Sequence, residues 1–147
     1  MKPEFQERVT LLQSVPFFAA LSEKELSDIA VWSSRTSYKK GEVILREGTP
    51  GKGLYVLITG RADVSVKKEG AERVVGNLRP GDVFGEMSLI EERPRTGNVT
   101  AVDDAECLYL DSRIFLEKMA SHPEILIGLL KTICLRLRQT VEELRGF

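Results

Sequence analysis

Between Gly41 and Gly97 the chain places ten of its twelve glycines, and this spacing constrains the fold more than any other feature. Glycine supplies the backbone conformations that end strands in tight turns, and the runs between these glycines are strand-like. GLYVLI (53–58) is continuously apolar. In ADVSVK (62–67), Ala62, Val64 and Val66 alternate with Asp63, Ser65 and Lys67, the period of a half-buried strand. ERVVGNL, NVTAV and ECLYL follow. Many short strands without strand–helix alternation predict a sandwich or a roll closed on itself, not a doubly wound parallel sheet.

The flanks carry a different period. Residues 2–35 read as helical: Ser22-Glu23-Lys24-Glu25 is a capping box, and Leu26, Ile29 and Ala30 repeat at helical spacing behind it. VPFFAAL (15–21) reads as a compact apolar turn broken by Pro16. Past residue 111, Ser112 is placed to cap a short helix containing Ile114, Phe115 and Met119, and His122-Pro123 ends it. A long helix is predicted from about Pro123 to Leu144. Leu126, Leu130, Ile133, Leu137, Thr140 and Leu144 are spaced 4, 3, 4, 3, 4 along it, a heptad seam. Such a stripe serves either to pack a helix on its own sheet or to pair two chains. Ile125 and Leu129 suffice for the first use near the start of the helix, so a homodimer through the seam is expected. The fold class is therefore α+β: an antiparallel β-roll or jelly roll flanked by N-terminal helices and a long C-terminal helix. One domain, 1–147, is expected, in three segments of 1–35, 36–111 and 112–147.

Composition narrows the function. With 147 residues, 42% hydrophobic and 29% charged, the chain can bury one core. A formal net charge of −1 lacks the basic excess of a general nucleic-acid binder, so no direct nucleic-acid contact is expected. The N-terminus is too polar for a signal peptide and no apolar run reaches the length of a membrane span, so a cytoplasmic protein is expected. Cys107 and Cys134 both lie in apolar surroundings and are read as reduced core thiols.

Catalytic constellations are missing from the sequence. A metal-dependent enzyme on such a roll needs a histidine cluster, and the single histidine, His122, lies beside Pro123 outside the strand block. No Cys/His pair, no Ser-His-Asp set and no GxxxxGK[ST] loop occurs. Glu91-Glu92 beside Arg93 reads as a solvated polar turn. No catalytic residue, metal or cofactor is expected.

The stretch FGEMSLIEERPRTGNV (84–99) combines apolar residues with one early carboxylate, Glu86, and one guanidinium nine positions on, Arg95. Gly85 lets a backbone approach a ligand closely. The amides opening a helical turn at Glu86-Met87-Ser88 have no partner within it and form an anion seat. A guanidinium forks onto phosphate oxygens. A carboxylate beside that seat repels a bare phosphate and asks for a hydroxyl on the same ligand; a ribose phosphate has both. The alternative use of the two residues is an ion pair with each other.

The stretch F-G-E-M-S-L-I-x-x-x-P-R-T-G-N-V resembles the phosphate-binding cassette of the cyclic nucleotide-binding domain family. So does the upstream pattern of Lys39, Gly41, Glu42, Val43, Ile44, Glu47, Gly48, Gly51, Tyr55, Val56, Leu57 and Gly60. The order of helices, roll and helices is also similar, and the likeness covers essentially the whole chain. The resemblance implies that Glu86 takes the ribose 2′-hydroxyl and that Arg95 pairs with the cyclic phosphate. It implies that Phe84 and the amides around Gly85, Met87 and Ser88 complete the seat, and that Val75 packs against the base. Thr96 follows Arg95 where guanine-choosing members often carry threonine, although some adenine binders do too. Gly97 replaces a customary alanine and is expected to loosen the strand. Sensory domains of the catabolite activator type share this layout. In that layout the matching part of the last helix faces the base, which implies a lid of Leu137, Thr140 and Val141; a partly exposed threonine near a fraying helix end is the other reading of Thr140. The expected ligand is cAMP, with cGMP possible. The expected role is a non-enzymatic sensor acting on an unidentified downstream protein. A sensory half of a longer transcription factor and a non-binding interaction scaffold are the alternatives.

Overall fold

The computed structural model describes residues 3–89 and 97–146, except for the side chains of Pro3, Glu86 and Met87. The chain divides into two compact units. One comprises Met1–Val31 with Glu117–Phe147, and the other Trp32–Leu116.

The second unit is the strand block. Its strands are β1 (Ser34–Tyr38), β2 (Val43–Leu45), β3 (Gly53–Thr59), β4 (Ala62–Lys68), β5 (Ala71–Leu78), β6 (Val83–Phe84), β7 (Asn98–Ala101) and β8 (Ala105–Asp111). Among the described residues they form two antiparallel sheets, ordered β1-β8-β3-β6 and β2-β7-β4-β5. Leu57, Ala62, Phe84, Val99, Ala101, Ala105 and Cys107 form a core drawn from both sheets. The predicted antiparallel roll is thus observed, with one shift: the strand block begins at Ser34, so residues 34 and 35 are extended, not helical.

Strand β5 carries a bulge. Val64 pairs with Gly76 and Ser65 with Val74, so Val75 is the extra residue, and such a residue bends the strand that carries it. On β4, Ser65 is buried and Val66 half-buried.

The helical unit holds α1 (Pro3–Gln13), a 3-10 turn at Pro16–Phe18, the bulk of α2 (Glu23–Trp32) and α4 (Pro123–Leu144). The capping box forms as read: Ser22 Oγ accepts from Glu25 N at 3.1 Å, and Glu25 Oε1 accepts from Ser22 N at 2.8 Å. On α4 the buried positions are Ile125, Gly128, Leu129 and Thr132. Thr132 Oγ1 donates to Gly128 O and accepts from Ala20 N at 3.2 Å, closing the turn after the 3-10 segment onto the helix. His122 sits at the start of α4, half-buried, with Nδ1 2.9 Å from Lys118 O.

Two local expectations are corrected. Helix α3 (Ser112–Met119) is capped by Asp111, not Ser112. Asp111 Oδ1 accepts from the amides of Arg113 at 2.8 Å and Ile114 at 3.3 Å, whereas the buried Ser112 hydroxyl meets no hydrogen-bond partner among the described residues. A carboxylate at the preceding position reaches those amides first. Cys134, expected in the core, is exposed, because the buried face of α4 ends at Thr132 and every residue from 133 to 146 is exposed.

Candidate functional site

The site is built outward from β3. Leu57 N donates to Asp82 O and Gly81 N donates to Leu57 O, which holds the incoming chain against that strand. Val83 and Phe84 then pair with Val56 and Tyr55. The Phe84 ring stacks on Tyr55 with centroids 5.0 Å apart and planes 4° from parallel, and Tyr55 in turn leans on Tyr109 at 4.8 Å. Phe84 is therefore a buried anchor at the mouth of the stretch.

At Gly85 the backbone turns left-handed, φ +74°, a conformation that costs a residue with a Cβ. This swing opens a 3-10 turn at Glu86–Leu89, with Ser88 N donating to Gly85 O at 3.0 Å. Ser88 and Leu89 are buried, so Phe84 and Leu89 pin the turn at both ends. The backbone of Gly85-Glu86-Met87 is held between those two anchors. Arg95 and Thr96, and the side chains of Glu86 and Met87, lie outside the described residues.

The chain re-enters the described structure at Gly97. A Cβ built there would lie 2.8 Å from Ser65 O and 3.3 Å from Val66 Cγ1. The glycine thus permits a close approach to β4; the expected loosening is replaced by tight apposition. Val99 is buried behind it. Asn98 stands in register with Ser65 and enters a polar cluster. Asn98 Nδ2 and Ser65 Oγ both donate to Glu72 Oε1 at 2.7 Å, while Asn98 Oδ1 accepts from Glu47 N at 2.7 Å. Glu47 Oε1 accepts from Lys67 N at 3.1 Å. The Ser65 hydroxyl first, then the Asn98 amide, hold the Glu72 carboxyl below its ordinary value; Lys67 adds a smaller effect in the same direction. Sequence reasoning missed Glu72, Ser65 and Asn98. The only signal was a polar residue opening an otherwise apolar strand, and its partner on β5 was not legible.

Of the other residues singled out, Val75 lies on edge strand β5 and is exposed. Leu137 and Thr140 lie on the exposed part of α4, in the helical unit, with Thr140 Oγ1 donating to Arg136 O at 3.0 Å. A separate cleft of about 420 Å³ is lined by Tyr38, Lys39, Glu42, Thr59, Asp104 and Glu106 among others. Two of its carboxylates hold backbone: Glu42 closes a turn by accepting from Lys39 N, and Asp104 accepts from Lys40 N, 64 residues away in sequence. Among the described residues no group of three or more His, Cys, Asp or Glu side chains is arranged to hold a metal ion, and no helix is long and apolar enough to cross a membrane.

The family model described as cyclic nucleotide-binding domain matches residues 35–122. The chain is 37% identical over 97 residues to a cAMP-dependent protein kinase regulatory subunit of Mycosarcoma maydis, covering 64% of this chain and 18% of that protein. It is 29% identical over 139 residues to a CRP-like cAMP-activated global transcriptional regulator of Mycobacterium tuberculosis, covering 93% of this chain and 59% of that protein. The chain therefore spans less than two thirds of either relative. Among solved structures, the N-terminal domain of a transcriptional regulator from Streptomyces coelicolor superposes with a TM-score of 0.83 at 29% identity, over 88% of this chain and 94% of the other.

Proposed function

The chain belongs to the cyclic nucleotide-binding domain family, and on that premise we propose that it binds a cyclic nucleotide, cAMP by preference and cGMP as the alternative, without catalysing a reaction. The observation that carries this reading is the anchored turn. Phe84 and Leu89 are buried on either side of left-handed Gly85, which presents the backbone from Glu86 onward as a seat for an anion. Both relatives above carry cAMP in their names.

In this reading the phosphate is held by Arg95 and the amides around Gly85, Met87 and Ser88. Glu86 accepts the ribose 2′-hydroxyl. Val75 packs on the base and Thr96 lies beside it. Leu137 and Thr140 of α4 form the lid. Occupancy is relayed through α4, because ligand that binds one helix position more tightly shifts the population toward it. The alternatives are the sensory part of a longer transcription factor, which the full gene length decides, and a scaffold that binds no nucleotide.

Calorimetric titration with cAMP and cGMP tests the proposal. Arg95→Ala is expected to cost roughly 2–5 kcal/mol of binding, about thirty-fold to several-thousand-fold in affinity, while Arg93→Ala changes little. Wild type is expected to bind 2′-deoxy-cAMP more weakly than cAMP, and Glu86→Gln to shrink that difference. Thr140→Ala is expected to weaken binding or alter the cAMP-to-cGMP ratio. Unchanged affinity in Arg95→Ala would refute the phosphate assignment.

A further inference from the structure

The apolar stripe exposed on α4 is wider than the seam read from the sequence. Besides Leu126, Leu130, Ile133, Leu137 and Leu144 it includes Ile127, Cys134 and Val141. Ile127, Leu130, Cys134, Leu137, Val141 and Leu144 form a heptad seam of their own, spaced 3, 4, 3, 4, 3, and Thr140 lies outside it. Burial within the chain favours this second stripe. With Ile127 at position a, the buried residues Ile125, Gly128, Leu129 and Thr132 fall at f, b, c and f, the positions that point away from the seam. In the first seam Leu129 falls at g, beside the interface, although its side chain is already buried within the chain. Residue type favours the second stripe too. Position a carries Ile127, Cys134 and Val141, and position d carries Leu130, Leu137 and Leu144. β-Branched residues at a with leucine at d favour two parallel strands, whereas leucine at a with isoleucine at d, as in the first seam, favours larger assemblies. The flanks agree. Lys131, Arg138 and Arg145 occupy position e, and in a parallel pair they lie beside Leu126, Ile133 and Thr140 at position g of the other chain. Their aliphatic stems cover Leu126 and Ile133 while the charged heads stay in water.

We infer that α4 pairs in parallel with α4 of a second copy through Ile127, Leu130, Cys134, Leu137, Val141 and Leu144, so that the two Cys134 thiols face each other across the twofold axis. The thiol exposed in the single chain is covered by this pairing, and Thr140 is left on the flank. The pairing needs no nucleotide, so it stands or falls apart from the ligand reading above.

Sedimentation velocity of two neighbouring variants tests the seam. Val141→Glu is expected to give monomers with unchanged circular dichroism, because it sets two carboxylates against each other at a buried position. Thr140→Glu keeps the dimer, since its carboxylate lies beside Arg145 of the second copy. Maleimide labelling of wild-type Cys134 is expected to slow as protein concentration rises and the dimer fills. Orientation is read from Leu144→Cys in a Cys134→Val background, oxidised with diamide, which takes up the two protons and two electrons released as the disulfide forms. A parallel pair brings the two residues 144 together and gives a cross-linked dimer. Cys134→Val alone gives none, because Cys107 is buried. An antiparallel pair puts the two residues 144 at opposite ends of a stretch roughly 25 Å long, at about 1.5 Å per residue, out of reach of a disulfide. A dimer retained in Val141→Glu and lost in Thr140→Glu would overturn the choice of seam. A dimer without the cross-link at residue 144 would overturn the parallel arrangement. A wild type that stays monomeric at every concentration would overturn the pairing itself.

Discussion

Burial pushes the Cys107 thiol up to about 12, because the thiolate would have to form inside the core shared by the two sheets. Cys134 lies on the exposed stretch of α4. The two thiols, alike in their local sequence, should therefore differ sharply in reactivity, since one is open to a reagent and the other would have to form its attacking thiolate in the core. A thiol reagent at neutral pH is expected to modify one cysteine rapidly in the native monomer, and Cys134→Ser to abolish that phase. Denaturant should expose the second thiol. Fast native labelling of Cys107 would contradict its place in the core. The sequence could not separate them: apolar neighbours surround both, and only the direction each side chain faces distinguishes them.

Single elements show the same division. The capping box at Ser22–Glu25 was legible because all its partners lie within four residues. The cap of α3 was misassigned by one residue, to Ser112 in place of Asp111, because a serine and an aspartate in tandem are both good caps. Asp111→Ala is expected to destabilise the protein by about 0.5–2 kcal/mol. Ser112→Ala should be close to neutral, since the hydroxyl removed is buried without a partner among the described residues. Denaturant unfolding of the two variants checks the pair; a larger loss in Ser112→Ala would restore Ser112 as the cap. Strand β4 illustrates the opposite case. Its two-residue period was plain, yet the bulge opposite Val64 and Ser65, where β5 carries Val75 as an extra residue, depends on how the two strands pair.

At the scale of the whole molecule, α4 changes character along its length. Ile125 and Leu129 are buried in the helical unit, while Leu130, Ile133, Leu137 and Leu144 are exposed, the last at 82%. The heptad seam therefore has apolar surface that no described residue of this chain covers, and we propose that a second copy covers it. A charge at a seam position is costly to bury. Leu137→Glu is thus expected to turn a dimer into a monomer in sedimentation velocity, with unchanged secondary structure by circular dichroism. A dimer that persists would place the interface elsewhere.

The sequence by itself determined the architecture. Glycine spacing marked the turns, alternation marked the strands and the 4, 3 spacing marked the last helix, all properties of neighbours within a few residues. It also determined which residues are candidates for phosphate and sugar, because Gly85, Glu86 and Arg95 lie on one short stretch. Tertiary structure alone decided what holds that stretch in place. The stack of Phe84 on Tyr55, the pressing of Gly97 against Ser65 and the reach of Glu72 to Asn98 join residues 26 to 32 positions apart. Such contacts depend on strand order and register, which arise from closing the roll and have no signature in any local run of residues.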